Sequence, residues 1–155
     1  MKLNFIENFL GSGFYTGYSK KASGTVASGV AAAFYLIPGF ENPTVLLLVI
    51  SFFIAVGKDI ATKFELAYGK DPKECTIDEF IGTWISFLFL PKKIWYILAA
   101  FLIWRMLDIY KPFPANLVEK INGGWGILLD DIIAGFYTFL TMQLLLMLIE
   151  YLKTL

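Results

Sequence analysis

The sequence predicts an all-α protein: an integral membrane helical bundle of about five transmembrane helices, with an N-terminal amphipathic helix at the membrane interface. Two observations carry this. Of the 155 residues, 57% are hydrophobic, above the roughly 45 to 50% typical of soluble domains, and the mean hydropathy is +0.65. Five apolar stretches recur along the chain, separated by short segments rich in Gly, Pro and charge. Length and continuity predict one membrane-embedded domain over residues 1–155.

Residues Met1 to Phe14 carry only a brief apolar stretch, contain Glu7 and lack a small-residue cleavage site, so a secretory signal is not expected. Phe5, Ile6, Phe9 and Leu10 fall at helical spacing on one face. That pattern suits a helix lying in the membrane surface, or equally one packed on the bundle. The first apolar stretch, Thr25 to Phe40, holds Ala27, Ser28, Gly29, Ala31, Ala32 and Ala33, small residues that let membrane helices approach closely. Asn42-Pro43 breaks the chain, and Thr44 to Gly57 follows. This run is shorter than the roughly 20 residues a span requires, so it is predicted to continue as helix through Asp59 and Glu65. Ile77 to Leu90, ended by Pro91, and Ile94 to Leu107 are also short. Ile132 to Leu152 is long enough to span unaided, and Gly135 near its start allows close packing.

With a cytoplasmic N-terminus, five crossings place Lys2, Lys20, Lys21, Lys58, Lys63, Lys70, Lys73, Arg105, Lys111 and Lys120 inside, and Lys92, Lys93 and Lys153 outside. This agrees with the positive-inside rule. The acids divide the same way, with only Glu41 and Glu150 outside. Carboxylates do not set orientation, so their concentration on one face points to a polar site at the cytoplasmic interface.

Composition removes several chemistries. The 13 basic and 13 acidic residues cancel, so no global charge recruits nucleic acid. Histidine is absent, which excludes Ser-His-Asp catalysis, phosphohistidine intermediates and His-ligated zinc. Cys75 is the single cysteine and is followed by Thr76-Ile77-Asp78-Glu79-Phe80, with no Arg to hold a phosphate for a cysteine nucleophile.

What remains is carboxylate, Lys, Arg and hydroxyl chemistry, with room for a hard metal ion. Asp78 and Glu79 open the third apolar stretch, and Asp130 and Asp131 stand at the start of the fifth. Capping of helix N-termini accounts for acids at such positions. Two acidic pairs facing one side would also repel unless a cation lay between them, and an oxygen-rich site of that kind suits Mg²⁺. Arg105, Asp108 and Lys111 are spaced three apart, forming either an intrahelical ion-pair ladder or a phosphate-binding pair of cations. Gly123-Gly124-Trp125-Gly126 and Ser23-Gly24-Thr25 are small-residue segments able to turn sharply and present amides to an anion. Trp84, Trp104, Tyr110, Phe113 and Trp125 are candidates for an interfacial belt or pocket rim, or for plain core packing.

In this order the segments resemble the phosphatidylglycerophosphatase A family. The resemblance covers residues 11 to 137 and is carried by Gly11-Ser12-Gly13 with Gly24-Thr25, Lys70-Asp71-Pro72 leading to Ile77-Asp78-Glu79-Phe80-Ile81-Gly82, Arg105-Met106-Leu107-Asp108-Ile109-Tyr110-Lys111-Pro112 with Pro114, and the Gly123 to Gly135 segment with Asp130-Asp131. The chain departs from the family pattern at Ser23, where Pro is usual, and at Ala27, where a second Gly is common. The resemblance implies Mg²⁺-dependent hydrolysis of phosphatidylglycerophosphate to phosphatidylglycerol and phosphate at the cytoplasmic face of the bacterial inner membrane by a multi-pass enzyme. It implies Asp78, Glu79, Asp108, Asp130 and Asp131 as catalytic acids, with metal binding by a subset of Asp78, Glu79, Asp130 and Asp131. Glu65 or Asp71 would assist, and Arg105, Lys111, Gly24 and Thr25 would hold the phosphate. The expected partners are the lipid substrate and the membrane. The nearest alternative is a phosphatase for another lipid phosphate; a small transporter is the weaker one, since the middle and outer parts of the apolar stretches carry almost no polar groups.

Overall fold

A computed structural model of the chain describes residues 2–155, so Met1 of the predicted N-terminal segment lies outside the described residues. Among them the fold is all-helical: α1 (Phe5–Gly11), a 3-10 turn (Thr16–Tyr18), α2 (Ser23–Tyr35), α3 (Pro43–Tyr68), α4 (Ile77–Ser86), α5 (Ile94–Tyr110), α6 (Ala115–Val118) and α7 (Gly124–Thr154).

Three boundaries have a local cause. The Asn4 side chain accepts the Glu7 amide at 2.9 Å while Glu7 accepts the Asn4 amide at 2.9 Å, a reciprocal cap that starts α1. Asn42 caps α3 through the Thr44 amide at 2.9 Å, and Pro43 occupies the first turn, where its missing N–H costs nothing. As expected from its length, the apolar run after Pro43 continues as helix past Asp59 and Glu65, to Tyr68. Lys111 adopts a left-handed conformation, φ 48°, and ends α5.

Three boundaries differ from expectation. The first stretch is helical only to Tyr35 rather than to Phe40. The third stretch is helical only to Ser86 rather than to Leu90, because the chain turns through Phe87 to Leu90. The carbonyls freed there are taken by Gln143 on Leu88, at 3.1 Å, and by Tyr35 on Leu90, at 2.6 Å. The fifth helix begins at Gly124, not at Ile132, so Asp130 and Asp131 lie in its second turn and are not N-terminal caps. Gly123, at φ 83°, makes the preceding turn. Its amide donates to Glu65 at 2.5 Å, and the Gly124 amide donates to Thr62 at 2.8 Å.

The helices α3 and α7 are long and apolar enough to cross a membrane. At 13, 10 and 17 residues, α2, α4 and α5 fall below the roughly 20 residues that a straight span needs. Helix α4 is the centre of the bundle, packed against α2, α3, α5 and α7, with Ile77, Phe80, Ile81 and Trp84 all buried. Between apolar helices in lipid, close backbone approach replaces the hydrophobic effect as the force for association. Gly135 of α7 supplies it: a Cβ there would sit 2.7 Å from the Gly82 carbonyl of α4. Gly82 in turn leaves room for the Trp104 ring of α5, which a Cβ would meet at 2.7 Å. The small face of α2 does the same through Ala27, Ser28 and Ala31, all buried, and Trp84 donates to the Ala31 carbonyl at 3.0 Å.

Of the five aromatics proposed for a belt or rim, Trp84 and Trp104 are core residues, whereas Tyr110, Phe113 and Trp125 are exposed. Helix α1 packs on α3. A Cβ at Gly11 would overlap the Ile60 and Phe64 side chains, and Glu7 pairs with Lys63. That hydrogen bond holds the Glu7 carboxyl below its usual range. Phe5 and Ile6 point away from the bundle and are exposed.

Candidate active site

The acids that the sequence scatters over α4, α5 and α7 converge at one end of the bundle. A cleft of about 340 Å³ is lined there by Asp78, Glu79, Asp108, Asp130 and Asp131, with Lys111 and Gly24 among the other lining groups. Helix α4 places Asp78 and Glu79 in its first turn, α5 brings Asp108 in its last, and α7 presents the Asp130-Asp131 pair from the turn that faces α4. Asp78 has Glu79 and Asp130 as charged neighbours, and Asp131 has Asp108, Glu79 and Asp78.

Arg105 is the internal counter-charge of this cluster. Its Nη1 donates to Glu79 Oε2 at 2.5 Å and lies 2.8 Å from Asp108 Oδ2. The Ser28 hydroxyl also donates to Glu79 Oε2, at 3.0 Å. Gly24 makes the arrangement possible, since a Cβ there would collide with the Glu79 carboxylate. Arg105 sits behind the acids and is not a lining residue; nor is Thr25, whose hydroxyl accepts a hydrogen bond from Arg105 Nη2 at 3.5 Å. The Arg105 guanidinium also lies over the Trp104 ring, 4.9 Å from the centroid.

Lys111 does not continue an ion-pair stripe with Asp108. Having left the helix at its left-handed residue, it turns to Asp130, with which it hydrogen-bonds, and to Glu119 at 3.0 Å. Burial works against its ammonium form, but the bonds to Asp130 and Glu119 outweigh burial and raise its pKa, so the charge is fixed. The one-sided Lys111 contact leaves Asp130 Oδ1 free, and Asp131 Oδ2 is likewise buried without a hydrogen-bond partner. Two buried carboxylate oxygens without partners, in one cleft, are costly unless a cation or a donor meets them.

Other groups fall elsewhere or were not anticipated. Glu65 is occupied by the Gly123 amide and does not line the cleft. The glycine-rich segment before α7 therefore spends its first amides on the protein itself rather than on an anion. Lys73, from the loop between α3 and α4, lines the cleft, and among the described residues it forms no ion pair. Its place is set by the turn at Asp71, φ 48°, and by Ser23 donating to its carbonyl at 3.0 Å. Lys73 falls just outside the Lys70-Asp71-Pro72 segment, and nothing in the sequence pattern singles it out. Cys75 is buried against the cleft wall, and burial followed by the nearby Asp78 charge raises its thiol pKa, the opposite of a nucleophile's requirement.

An all-helical fold with two helices long and apolar enough to cross a membrane, gathering carboxylates and lysines in one cleft at the end of the bundle, is the framework of a membrane-associated enzyme. Comparison with known proteins makes the class specific. The profile of the family described as phosphatidylglycerophosphatase A matches residues 9–146, and the chain belongs to that family and is a phosphatase. A Bacteroides thetaiotaomicron protein provisionally named a phosphatidylinositol-3-phosphatase is 34% identical over 88% of this chain and 91% of its own. Phosphatidylglycerophosphatase A of Escherichia coli is 33% identical over 87% of this chain and 80% of its own. That of Haemophilus influenzae is 45% identical, over 39% of this chain and 38% of its own. No solved structure matches.

Proposed function

We propose that the chain is a Mg²⁺-dependent lipid phosphatase that hydrolyses phosphatidylglycerophosphate to phosphatidylglycerol and inorganic phosphate at the cytoplasmic face of the bacterial inner membrane. The observation that carries this is the pair of unpartnered oxygens, Asp130 Oδ1 and Asp131 Oδ2, in a cleft that also holds Lys111 and Asp78.

Electrostatics argue for a cation in that cleft. Asp71, Asp78, Glu79, Asp108, Asp130 and Asp131 line it against only Lys73 and Lys111. A phosphate monoester, which is largely dianionic at neutral pH, would be repelled by such a wall. The donor set is all oxygen, which suits a hard cation. Among the described residues no three acids converge into a ready-made ligand set. Mg²⁺ fits that geometry, because it keeps several waters and takes one or two carboxylates together with substrate phosphate oxygens. Asp130 and Asp131 would hold it. Bound there, it would neutralise phosphate charge and acidify a bound water.

The side chains supply the rest. Lys111, anchored by Asp130 and Glu119, and Lys73 at the cleft wall draw the phosphate in and stabilise the charge on its oxygens in transfer. Asp78 has one oxygen engaged by the Glu79 amide at 3.0 Å, and it accepts the proton of the attacking water. The water oxygen bonds to phosphorus, the bond from phosphorus to the glycerol oxygen breaks, and that oxygen leaves as a hydroxyl by taking up the proton that Asp78 accepted, which returns Asp78 to its carboxylate form. Arg105 is a positioning residue, fixing Glu79 and Asp108. Ile109, which lines the cleft, continues into the exposed α5 residues Met106 and Leu102, an apolar track for the acyl chains.

Because one relative bears the name of a phosphoinositide phosphatase, substrate choice is tested by measuring phosphate release from phosphatidylglycerophosphate and from phosphatidylinositol 3-phosphate in the same mixed micelles. Preference for the first supports the reading. Faster release from the second would transfer the cleft to a different lipid phosphate.

A further inference from the structure

A second polar cleft lies at the opposite end of the bundle. It encloses about 390 Å³ and is lined by Phe89, Lys93, Tyr96, Gln143, Met147 and Lys153, with Glu150 also on its wall. From Asp130 in the first cleft to Glu150 in the second, α7 rises about 30 Å at 1.5 Å per residue, the thickness of a hydrocarbon core. The segments between the two clefts carry no charge: Ile132 to Ile149 in α7, Ile94 to Trp104 in α5, and Phe80 to Ser86 in α4 with the turn Phe87 to Leu90 after it. The two clefts therefore bracket one apolar slab.

The chemistry of this second cleft is cationic and amphipathic. Neither Lys93 nor Lys153 forms an ion pair among the described residues, whereas the adjacent Lys92 is paired with Glu41 at 3.0 Å. Lys93 Nζ lies 6.0 Å from the centroid of the Tyr96 ring, which holds it over the cleft. Helix α5 starts here with no side-chain cap, so its positive end is open to an anion. Gln143 donates to the Leu88 carbonyl and fixes the turn that forms the floor. The remaining wall, Leu146, Met147 and Ile149, is apolar and continues along the outer surface of α7. A soluble anion has no use for that apolar wall; a lipid uses both parts.

We propose that this cleft binds the head group of an anionic phospholipid in the leaflet opposite the catalytic cleft, its phosphate between Lys93 and Lys153 and its acyl chains along Leu146, Met147 and Ile149. The site needs no hydrolysis and stands apart from the catalytic residues. Its occupant stays bound while substrate and product exchange at the other end, and it holds the α4–α5 turn against the end of α7.

The test uses the purified full chain, delipidated in detergent and titrated with phosphatidylglycerol or phosphatidylcholine, with bound lipid read by native mass spectrometry. Because substrate-like lipid also reaches the catalytic cleft, the readout is the difference between wild type and Lys93→Gln/Lys153→Gln. That double variant is expected to lose at least about tenfold in affinity for phosphatidylglycerol and nothing for phosphatidylcholine, as for two surface lysines near an anionic lipid. Glu150→Gln is expected to bind phosphatidylglycerol more tightly than wild type, a gain that a misfolded variant cannot give. Equal affinity in wild type and the double variant would overturn the proposal. Displacement of the lysine-dependent lipid by inorganic phosphate at similar concentration would also overturn it, by showing a soluble-anion site.

Discussion

Arg105 Nη1 and Glu79 Oε2 meet at 2.5 Å behind the acid-lined candidate cleft, joining the last turns of α5 to the first turn of α4. The same nitrogen lies 2.8 Å from Asp108, so one guanidinium holds two carboxylates of the site. Removing it leaves both acids without their counter-charge in a mostly buried setting. Arg105→Ala is expected to lose about 3 kcal/mol of stability, in the range measured when one partner of a buried pair is deleted, and to abolish phosphate release. Arg105→Lys keeps the charge but not the fork, and is expected to retain the fold with activity reduced at least tenfold. Thermal melting beside phosphate release separates the two effects.

Gly24 gives a sharper test, because it acts through space alone. Gly24→Ala drives a Cβ into the Glu79 carboxylate, whereas Gly29 in the same helix has nothing within 4 Å of the added atom. The first substitution is expected to cut kcat by about tenfold or more, the range for a misplaced catalytic group. Gly29→Ala is expected to leave kcat unchanged and to stabilise α2 by about 0.5 to 1 kcal/mol. Equal effects of the two would remove the steric argument for Gly24.

The Gly82–Gly135 crossing is the structural counterpart. Gly135→Val places side-chain bulk against the Gly82 carbonyl of α4 and is expected to lower stability by about 1 to 3 kcal/mol or more, as overpacking does. Steric-trap or thermal unfolding in detergent reads this. An unchanged melting temperature would show that α4 and α7 are farther apart than described.

Cys75 gives a check with no enzymology. Its thiol pKa is raised by burial, then by the Asp78 charge, so the reactive thiolate is scarce below that raised value. Iodoacetamide at pH 8 is expected to leave the folded protein unlabelled for an hour and to label it fully in denaturant. Rapid labelling of the folded chain would show that the cleft wall is open.

Much of this was legible in the sequence, for reasons visible at particular residues. Asn42-Pro43 is a local signal, and α3 begins there; the run after it had to continue because it was too short to stop. Gly135 marked the close crossing. What could not be read was where helices end once tertiary groups supply the missing hydrogen bonds. Glu65 and Thr62, far away in sequence, hold the amides of Gly123 and Gly124 and so start α7 early, putting Asp130 and Asp131 inside it. Likewise the left-handed Lys111 breaks the expected stripe with Asp108 and gives the ammonium to Asp130. The acidic residues of the site were each visible as charges beside apolar runs. Lys73 and Ser28 were not, because loop lysines and helix serines have no distinguishing pattern until the fold brings them to the cleft and to Glu79.

If Asp130 and Asp131 form the cation-dependent heart of a lipid phosphatase, one assay reaches them directly. Phosphate release from phosphatidylglycerophosphate is measured for purified wild type with Mg²⁺, wild type with chelator, and Asp130→Asn with Mg²⁺. Release is expected in the first alone, with the variant reduced at least a hundredfold and still folded by its melting curve. Undiminished release with chelator, or an Asp130→Asn enzyme as fast as wild type, would contradict it.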